Sequence, residues 1–175
     1  MGYDSHSLRV SQISRMLADA GGLGNDAALV EVCALLHDIG KQDVPPELLS
    51  KPGKLTADEF EAVKQHARQG AQRIHQFIDV LMVAAIIARF HHERWSGGGY
   101  EGLAGECIHP FARIVAVADV FDALMSRRPY KEPWQLKDAL DYVQENAGTQ
   151  FDPYWASILL TCKSDLAKLY VEERK

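Results

Sequence analysis

Apolar residues recur at helical spacing along most of the chain, and no stretch of any length alternates with the two-residue rhythm of a strand. Between His6 and Ala20, the residues Leu8, Val10, Ile13, Met16 and Leu17 keep that spacing, and Gly21-Gly22 ends the helix. Asn25 is placed to cap a second helix with Leu29, Val32, Cys33 and Leu36 on its apolar face, delivering His37 and Asp38 at its C-terminal end. Pro45-Pro46 and Lys51-Pro52-Gly53 punctuate a connection in which Leu48 and Leu49 form one short helical turn. Thr56 and Glu59 make a capping box, and Phe60, Val63 and Ala67 continue a helical stripe that carries His66. Asp79 is placed to cap the next helix, which runs through Ile86 and Ile87 to the doublet His91-His92.

Four glycines in the six residues from Gly97 to Gly102 then force a loop. Pro110 restarts a helix at its first position, with Ile114, Val117, Ala118 and Phe121 inside and Asp119 and Asp122 one turn apart. A second loop runs from Ser126 to Lys131, and helices from Pro133 and Pro153 complete the chain, the last capped by Asp152. The pattern predicts an all-α fold of about seven to eight helices without internal repeats.

Composition narrows this further. At 175 residues and 47% hydrophobic, the chain supports one core, and a single domain over residues 1–175 is expected. A net charge of −5 argues against coating a nucleic-acid polymer or an anionic membrane through the bulk field. The most apolar run, Val80 to Phe90, is eleven residues long and contains Arg89, well short of the ~20 that span a bilayer, so it reads as a core helix. Met1 to Ser7 has no signal-peptide character, and Cys33, Cys107 and Cys162 are odd in number and widely spaced. They read as buried thiols in a reducing cytoplasm.

The candidate chemistry centres on Leu35-Leu-His-Asp-Ile-Gly-Lys41. Neighbouring side chains on a helix point about 100° apart, so His37 and Asp38 need ligand partners from elsewhere. His6, His66, His91, His92 and Asp119 supply them, each on or at the end of a predicted helix. Any one of these histidines alone is more often packed or exposed than metal-bound; their joint placement changes the odds. A His/Asp set without thiolates suits iron, manganese, zinc or nickel rather than a structural zinc. Seven ligands exceed the needs of one ion, so two ions bridged by Asp38 are expected. Ions roughly 3.5–4 Å apart share a water, lower its pKa and stabilise both oxygens of a phosphoryl transfer, which predicts phosphoester hydrolysis. His75 and His109 read as surface residues.

His37-Asp-Ile-Gly-Lys41, Lys51-Pro-Gly-Lys-Leu55, His91-His-Glu-Arg-Trp95, Ala118-Asp-Val-Phe-Asp-Ala-Leu124, Arg128-Pro-Tyr-Lys131 and Gly148-Thr-Gln-Phe-Asp-Pro153 together resemble the HD-GYP branch of the HD phosphohydrolase superfamily, from His6 to about Pro153. The resemblance implies a helical domain around a metal site that hydrolyses cyclic di-GMP, or a mixed cyclic dinucleotide, to linear pGpG or GMP. It implies two or three ions, often iron or manganese. Position by position, His6, His37, Asp38 and Asp119 would hold one ion, and Asp38, His66, His91 and His92 the second. Lys41 would reach a substrate phosphate or the leaving oxygen, and Arg128 and Lys131 would bind phosphate. Gly2 stands where relatives with three ions carry an acidic ligand, and Asp4 is a poor substitute, so two ions are expected. Relatives usually carry a sensor or receiver domain ahead of the catalytic one; here either a separate regulatory chain carries it or this chain is a piece of a longer protein, and a diguanylate cyclase-type partner is a further expected source of input.

The chain departs from the family in its glycine loop. Ser96 replaces the usual aspartate and Glu101 the eponymous proline, which frees the backbone and adds a carboxylate near an anionic ligand unless Glu101 points away. Lys41, Arg94, Arg127, Arg128 and Lys131 are a solvated charge pattern on their own; beside the resemblance, with Pro129 stiffening the loop, they read as a phosphate clamp. Tyr100 either contacts a guanine or plugs the loop onto the domain, and Trp95 packs. Asp122 and Glu93 either orient ligands or support the fold. Two alternatives remain: an HD phosphohydrolase for another nucleotide or phosphoester, and a non-catalytic module that senses the dinucleotide.

Overall fold

The computed structural model describes residues 5–75, 82–127 and 132–171. In chain order its helices are α1 (Ser5–Ala20), α2 (Asp26–Ala34), α3 (Pro46–Leu49), α4 (Ala57–His75), α5 (Met82–Phe90), α6 (Pro110–Met125), α7 (Leu136–Glu145), α8 (Pro153–Thr161) and α9 (Lys163–Val171). Short 3-10 turns span Ile39–Asp43 and Gly105–Cys107. No strand occurs among the described residues, only an isolated bridge between Ala147 and Phe151. The count exceeds the sequence expectation because α3 is a single turn and the C-terminal segment divides at Cys162.

Helix α6 is the spine, packing against α1, α5, α7 and α8. Ile114, Val117, Ala118 and Phe121 are fully buried, as their spacing predicts. Burying Ile114, Val117 and Phe121 contributes roughly 1.5–3 kcal/mol each, which fixes α6 and with it Asp119. Pro110 sits at the first helical turn, and His109 caps it by accepting the Phe111 N–H at 3.2 Å. His109, partly exposed as its sequence position suggests, therefore also caps α6.

Two helix starts and one apolar face differ from expectation. Asn25 makes no side-chain cap; the carbonyls of Leu23 and Gly24 accept the first amides of α2. That helix is apolar nearly all round, so periodicity could not choose its buried side. The structure buries Ala27, Val30, Cys33 and Ala34 and leaves Leu29 and Val32 exposed, because the small alanines allow close approach to α1. Helix α7 begins at Leu136, not Pro133, since the Trp134 N–H is tied to the Leu124 carbonyl at 3.0 Å. The Thr56–Glu59 capping box forms as read, with reciprocal bonds of 2.8 and 3.3 Å. Asp152 caps α8 through the Tyr154 N–H. Cys33 and Cys162 are buried, but Cys107 is exposed on its 3-10 turn. The proposed cap at Asp79 lies outside the described residues.

Candidate metal centre

Five chain segments converge on one point. His6 comes from the first turn of α1, His66 from α4, and Asp119 from α6. His91 and His92 follow α5. Helix α2 ends at Ala34, earlier than expected, so His37 and Asp38 sit in a tight turn closed by the His37 N–H on the Ala34 carbonyl. The next turn then crosses α4 with almost no separation. A Cβ on Gly40 would strike the His66 carbonyl and stand 2.5 Å from the Gly70 nitrogen. This backbone approach brings Asp38 against His66, and only glycine permits it.

Asp38 divides its two oxygens between two groups of ligands. Oδ2 lies 3.2 Å from His37 Nε2 and 3.9 Å from His6 Nε2. Oδ1 lies 3.3 Å from His66 Nε2 and 3.8 Å from His91 Nε2. Asp119 Oδ1 completes the first group, 3.2 Å from His6 Nε2 and 3.8 Å from His37 Nε2. Within His6, His37 and Asp119, and again within Asp38, His66, His91 and His92, one ligand atom per residue falls within 4.8 Å of the others.

The imidazoles are aimed by their far nitrogens. His37 Nδ1 donates to the Ala34 carbonyl at 2.8 Å and His66 Nδ1 to Val63 at 2.7 Å. His91 Nδ1 faces the carbonyls of Ile87 and Ala88. Those bonds place the proton on Nδ1 and leave Nε2 as a lone pair directed inward. His6 Nδ1 instead meets Asp122 Oδ2 at 2.7 Å. Asp122 is itself buried and also accepts from Arg9, Ser126 and Tyr170. The orienting role of Asp122, one of two readings its sequence position allowed, is the one the structure provides. Meanwhile Nε2 of His37, His66 and His91 and Oδ1 of Asp38 are buried without a hydrogen-bond partner. Each unsatisfied group costs roughly 1–3 kcal/mol, and four convergent acceptors fit a bound cation.

The charges divide the imidazoles: burial keeps His91 and His92 neutral, whereas the neighbouring carboxylates outweigh burial and raise His6 and His37, so a cation binding their Nε2 atoms would displace protons. Burial holds His91 well below the ordinary imidazole range and His92 down at about 4, so both stay neutral. Burial alone would raise Asp38 and Asp119, yet neighbouring imidazoles, and for Asp38 also Lys41, keep both below the usual carboxylate range. Burial works against a charge on His6, but Asp119 and Asp122 outweigh it and hold that imidazole up at about 9. Lys41 Nζ stands 2.5 Å from Asp38 Oδ2.

A cleft of about 280 Å³ opens beside His91 and His92, walled by Phe60, Arg94, Gly99, Tyr100, Gln150 and Phe151 among others. The glycine loop forms one side. Buried Glu93 accepts the N–H groups of Glu101 and Leu103 at 2.7 and 2.6 Å, and a Cβ on Gly99 would press onto the Glu93 backbone. Ser96 bonds the Thr149 carbonyl through both its N–H and its hydroxyl. Glu101 turns away from the centre, paired bidentately with Arg68 at 2.6 and 3.0 Å and with Arg89 at 3.4 Å. Tyr100 is half-buried against His92, with ring centroids 4.7 Å apart, and carries Lys64 Nζ 5.5 Å above its ring. Trp95 packs beneath the Arg113 guanidinium. Arg127 is exposed and pairs with Glu132. Arg128, Lys131, Gly2 and Asp4 lie outside the described residues.

Sequence reasoning missed Gly70, Arg68 and Arg89, none of which carries a local signal, and read Phe60 only as part of a helical stripe with Val63 and Ala67. Phe60 is 45% exposed at the rim of the cleft.

A family model described as HD domain matches residues 3–154. The chain is 44% identical over 92% of its length to the cyclic di-GMP phosphodiesterase response regulator RpfG of Xanthomonas campestris, covering 43% of that protein. It is 38% identical over 89% of its length to 3'3'-cGAMP-specific phosphodiesterase 2 of Vibrio cholerae, covering 30% of it. The chain thus spans less than half the length of these curated relatives. The fold matches an HDG"Y"P protein from Bdellovibrio bacteriovorus with a TM-score of 0.71 at 24% identity, over 93% of this chain and 51% of that one. The sequence motifs, the helical fold and the family match agree: the chain belongs to the HD domain family, in its HD-GYP branch.

Proposed function

We propose that the chain is a metal-dependent phosphodiesterase that hydrolyses cyclic di-GMP, or a related cyclic dinucleotide such as 3'3'-cGAMP, to the linear dinucleotide or on to mononucleotide. The observation that carries this reading is the divided carboxylate of Asp38, with each oxygen facing a separate set of buried imidazoles. His6, His37, Asp38 and Asp119 would hold one divalent ion, and Asp38, His66, His91 and His92 the other. The nitrogen and oxygen donors suit iron or manganese, with zinc and nickel also compatible. Such ions supply Lewis acidity toward phosphoryl oxygens and an activated water.

The chain's own groups do the rest. Asp38 and Asp119 stay ionised at neutral pH, and the histidines present Nε2 in orientations fixed before any ligand arrives. Lys41, partly exposed beside Asp38, neutralises charge that builds on the scissile phosphate or its leaving oxygen. Burial pushes the Tyr100 phenol up to about 12, so it keeps its proton and offers a hydrogen bond at the cleft wall. Arg128 and Lys131 are assigned to the substrate phosphates by their motif alone. Glu101, held by Arg68 and Arg89, keeps its carboxylate out of the path of an anionic ligand.

No helix among the described residues is long and apolar enough to cross a membrane. We place the protein in the cytoplasm as one domain over residues 1–175, answering to a sensor, receiver or cyclase-type partner. The test is product analysis with anaerobically purified protein loaded with manganese or iron. Cyclic di-GMP is expected to yield pGpG or GMP, and His37→Ala to abolish turnover while Lys41→Ala keeps the metal. An intact dinucleotide after prolonged incubation would contradict the reading and favour a non-catalytic sensor.

A further inference from the structure

We propose that Phe60 and Arg94 form a guanine-selective base subsite at the outer end of the cleft, Phe60 stacking the purine and Arg94 reading its acceptor edge. This inference rests on the reading of the centre as a cyclic dinucleotide site and adds the residues that choose the base.

Two independent observations support it. Of the large apolar side chains exposed among the described residues, which include Leu8, Leu29, Val32, Leu49, Met82 and Tyr154, only Phe60 lines this cleft. Its ring stands edge-on to Tyr100, with centroids 6.0 Å apart at 89°. Tyr100 is already covered by His92 and Lys64, so the open aromatic surface belongs to Phe60. Every base presents a π-face, and stacking on an aromatic side chain is the common sequence-tolerant grip on nucleotides.

The second observation is an uncommitted guanidinium. Among the described arginines, Arg9, Arg15, Arg68, Arg73, Arg89, Arg113 and Arg127 all pair with carboxylates. Arg94 has no such partner among the described residues and lines the same cleft as Phe60. A guanidinium offers donors only, in a planar fork that matches O6 and N7 of guanine and conflicts with the N6 amino group of adenine. Phe60 provides affinity without discrimination, and Arg94 provides the discrimination. Bis-phosphorothioate analogues of cyclic di-GMP and cyclic di-AMP, which hydrolyse slowly, separate the two roles when titrated into the manganese-loaded full chain.

The wild type is expected to bind the guanine analogue at least ten-fold more tightly than the adenine one. Phe60→Ala should weaken both about ten-fold or more, with recovery in Phe60→Tyr, and Arg94→Met should erase the preference by weakening the guanine analogue alone. Metal content should match wild type in all three variants. Equal loss of both analogues in Arg94→Met would assign that residue to phosphate and overturn the inference. Unchanged binding in Phe60→Ala, or a wild type that binds neither analogue, would also overturn it. A wild type that binds with these preferences but never cleaves cyclic di-GMP supports the subsite while contradicting the proposed phosphodiesterase activity.

Discussion

Asp122 illustrates how much at this centre depends on residues that touch no ion. It holds His6 through Nδ1 and is held in turn by Arg9, Ser126 and Tyr170, so the His6 ring has one orientation available. Burial alone would push its carboxyl up, but His6, Arg9 and Tyr170 keep it below the ordinary range. Asp122→Asn keeps the shape and removes the charge; metal titration should show the His6 site weakened by about 10–100-fold, with the site around His66 unchanged. Equal affinity at both sites would mean that His6 needs no such partner. Of the seven histidine and aspartate candidates, five stand in readable motifs, whereas His6 and His66 carry no motif of their own and were reached as partners that His37 and Asp38 need. The partners of Glu101 were not legible, because Arg68 and Arg89 approach it from 33 and 12 residues away and leave no periodic trace.

Elements deliver these residues, and their junctions decide the geometry. The crossing of the Ile39–Asp43 turn over α4 beside Gly70 leaves no room for a methyl group on Gly40. Gly40→Ala should therefore destabilise the fold by at least about 1–3 kcal/mol, read as a lower denaturation midpoint, and should reduce metal content by separating Asp38 from His66. A variant of wild-type stability that retained both ions would contradict this account of the junction. The glycine loop makes a second junction, clasped by Arg68 and Arg89 through Glu101. The arginine partners lower the Glu101 pKa from its ordinary value of 4.5. Because the folded value lies below the unfolded one, the clasp contributes fully above about pH 4.5 and is lost as pH falls through the lowered folded value. Amide exchange in residues 97–103 is expected to accelerate below that pH or in high salt. Glu101→Gln should show the faster exchange already at neutral pH; exchange indifferent to pH, salt and substitution would remove the clasp from the account. At this scale the capping box and the α6 core were readable from local pattern. The buried face of α2 was not, since a segment apolar on every side carries no phase, and Phe60 kept helical register while facing the cleft.

At the scale of the whole molecule, an acidic chain gathers buried imidazoles and two carboxylates from five separated segments around one point. Local sequence cannot bring them together; only the packing of α1, α4, α5 and α6 does. The all-α class followed from the hydrophobic period, and the family match accords with it. The motifs pointed to such a convergence, and the distances across Asp38 with the unpartnered Nε2 atoms give its geometry. The direct measurement is metal stoichiometry of the anaerobically purified chain, incubated with manganese and freed of excess, for wild type and Asp38→Ala side by side. The account predicts about two ions per wild-type chain and near-complete loss of both in the variant, because one carboxylate serves both sites. A variant that keeps one or two ions at wild-type affinity would contradict the shared carboxylate on which the proposed hydrolysis depends.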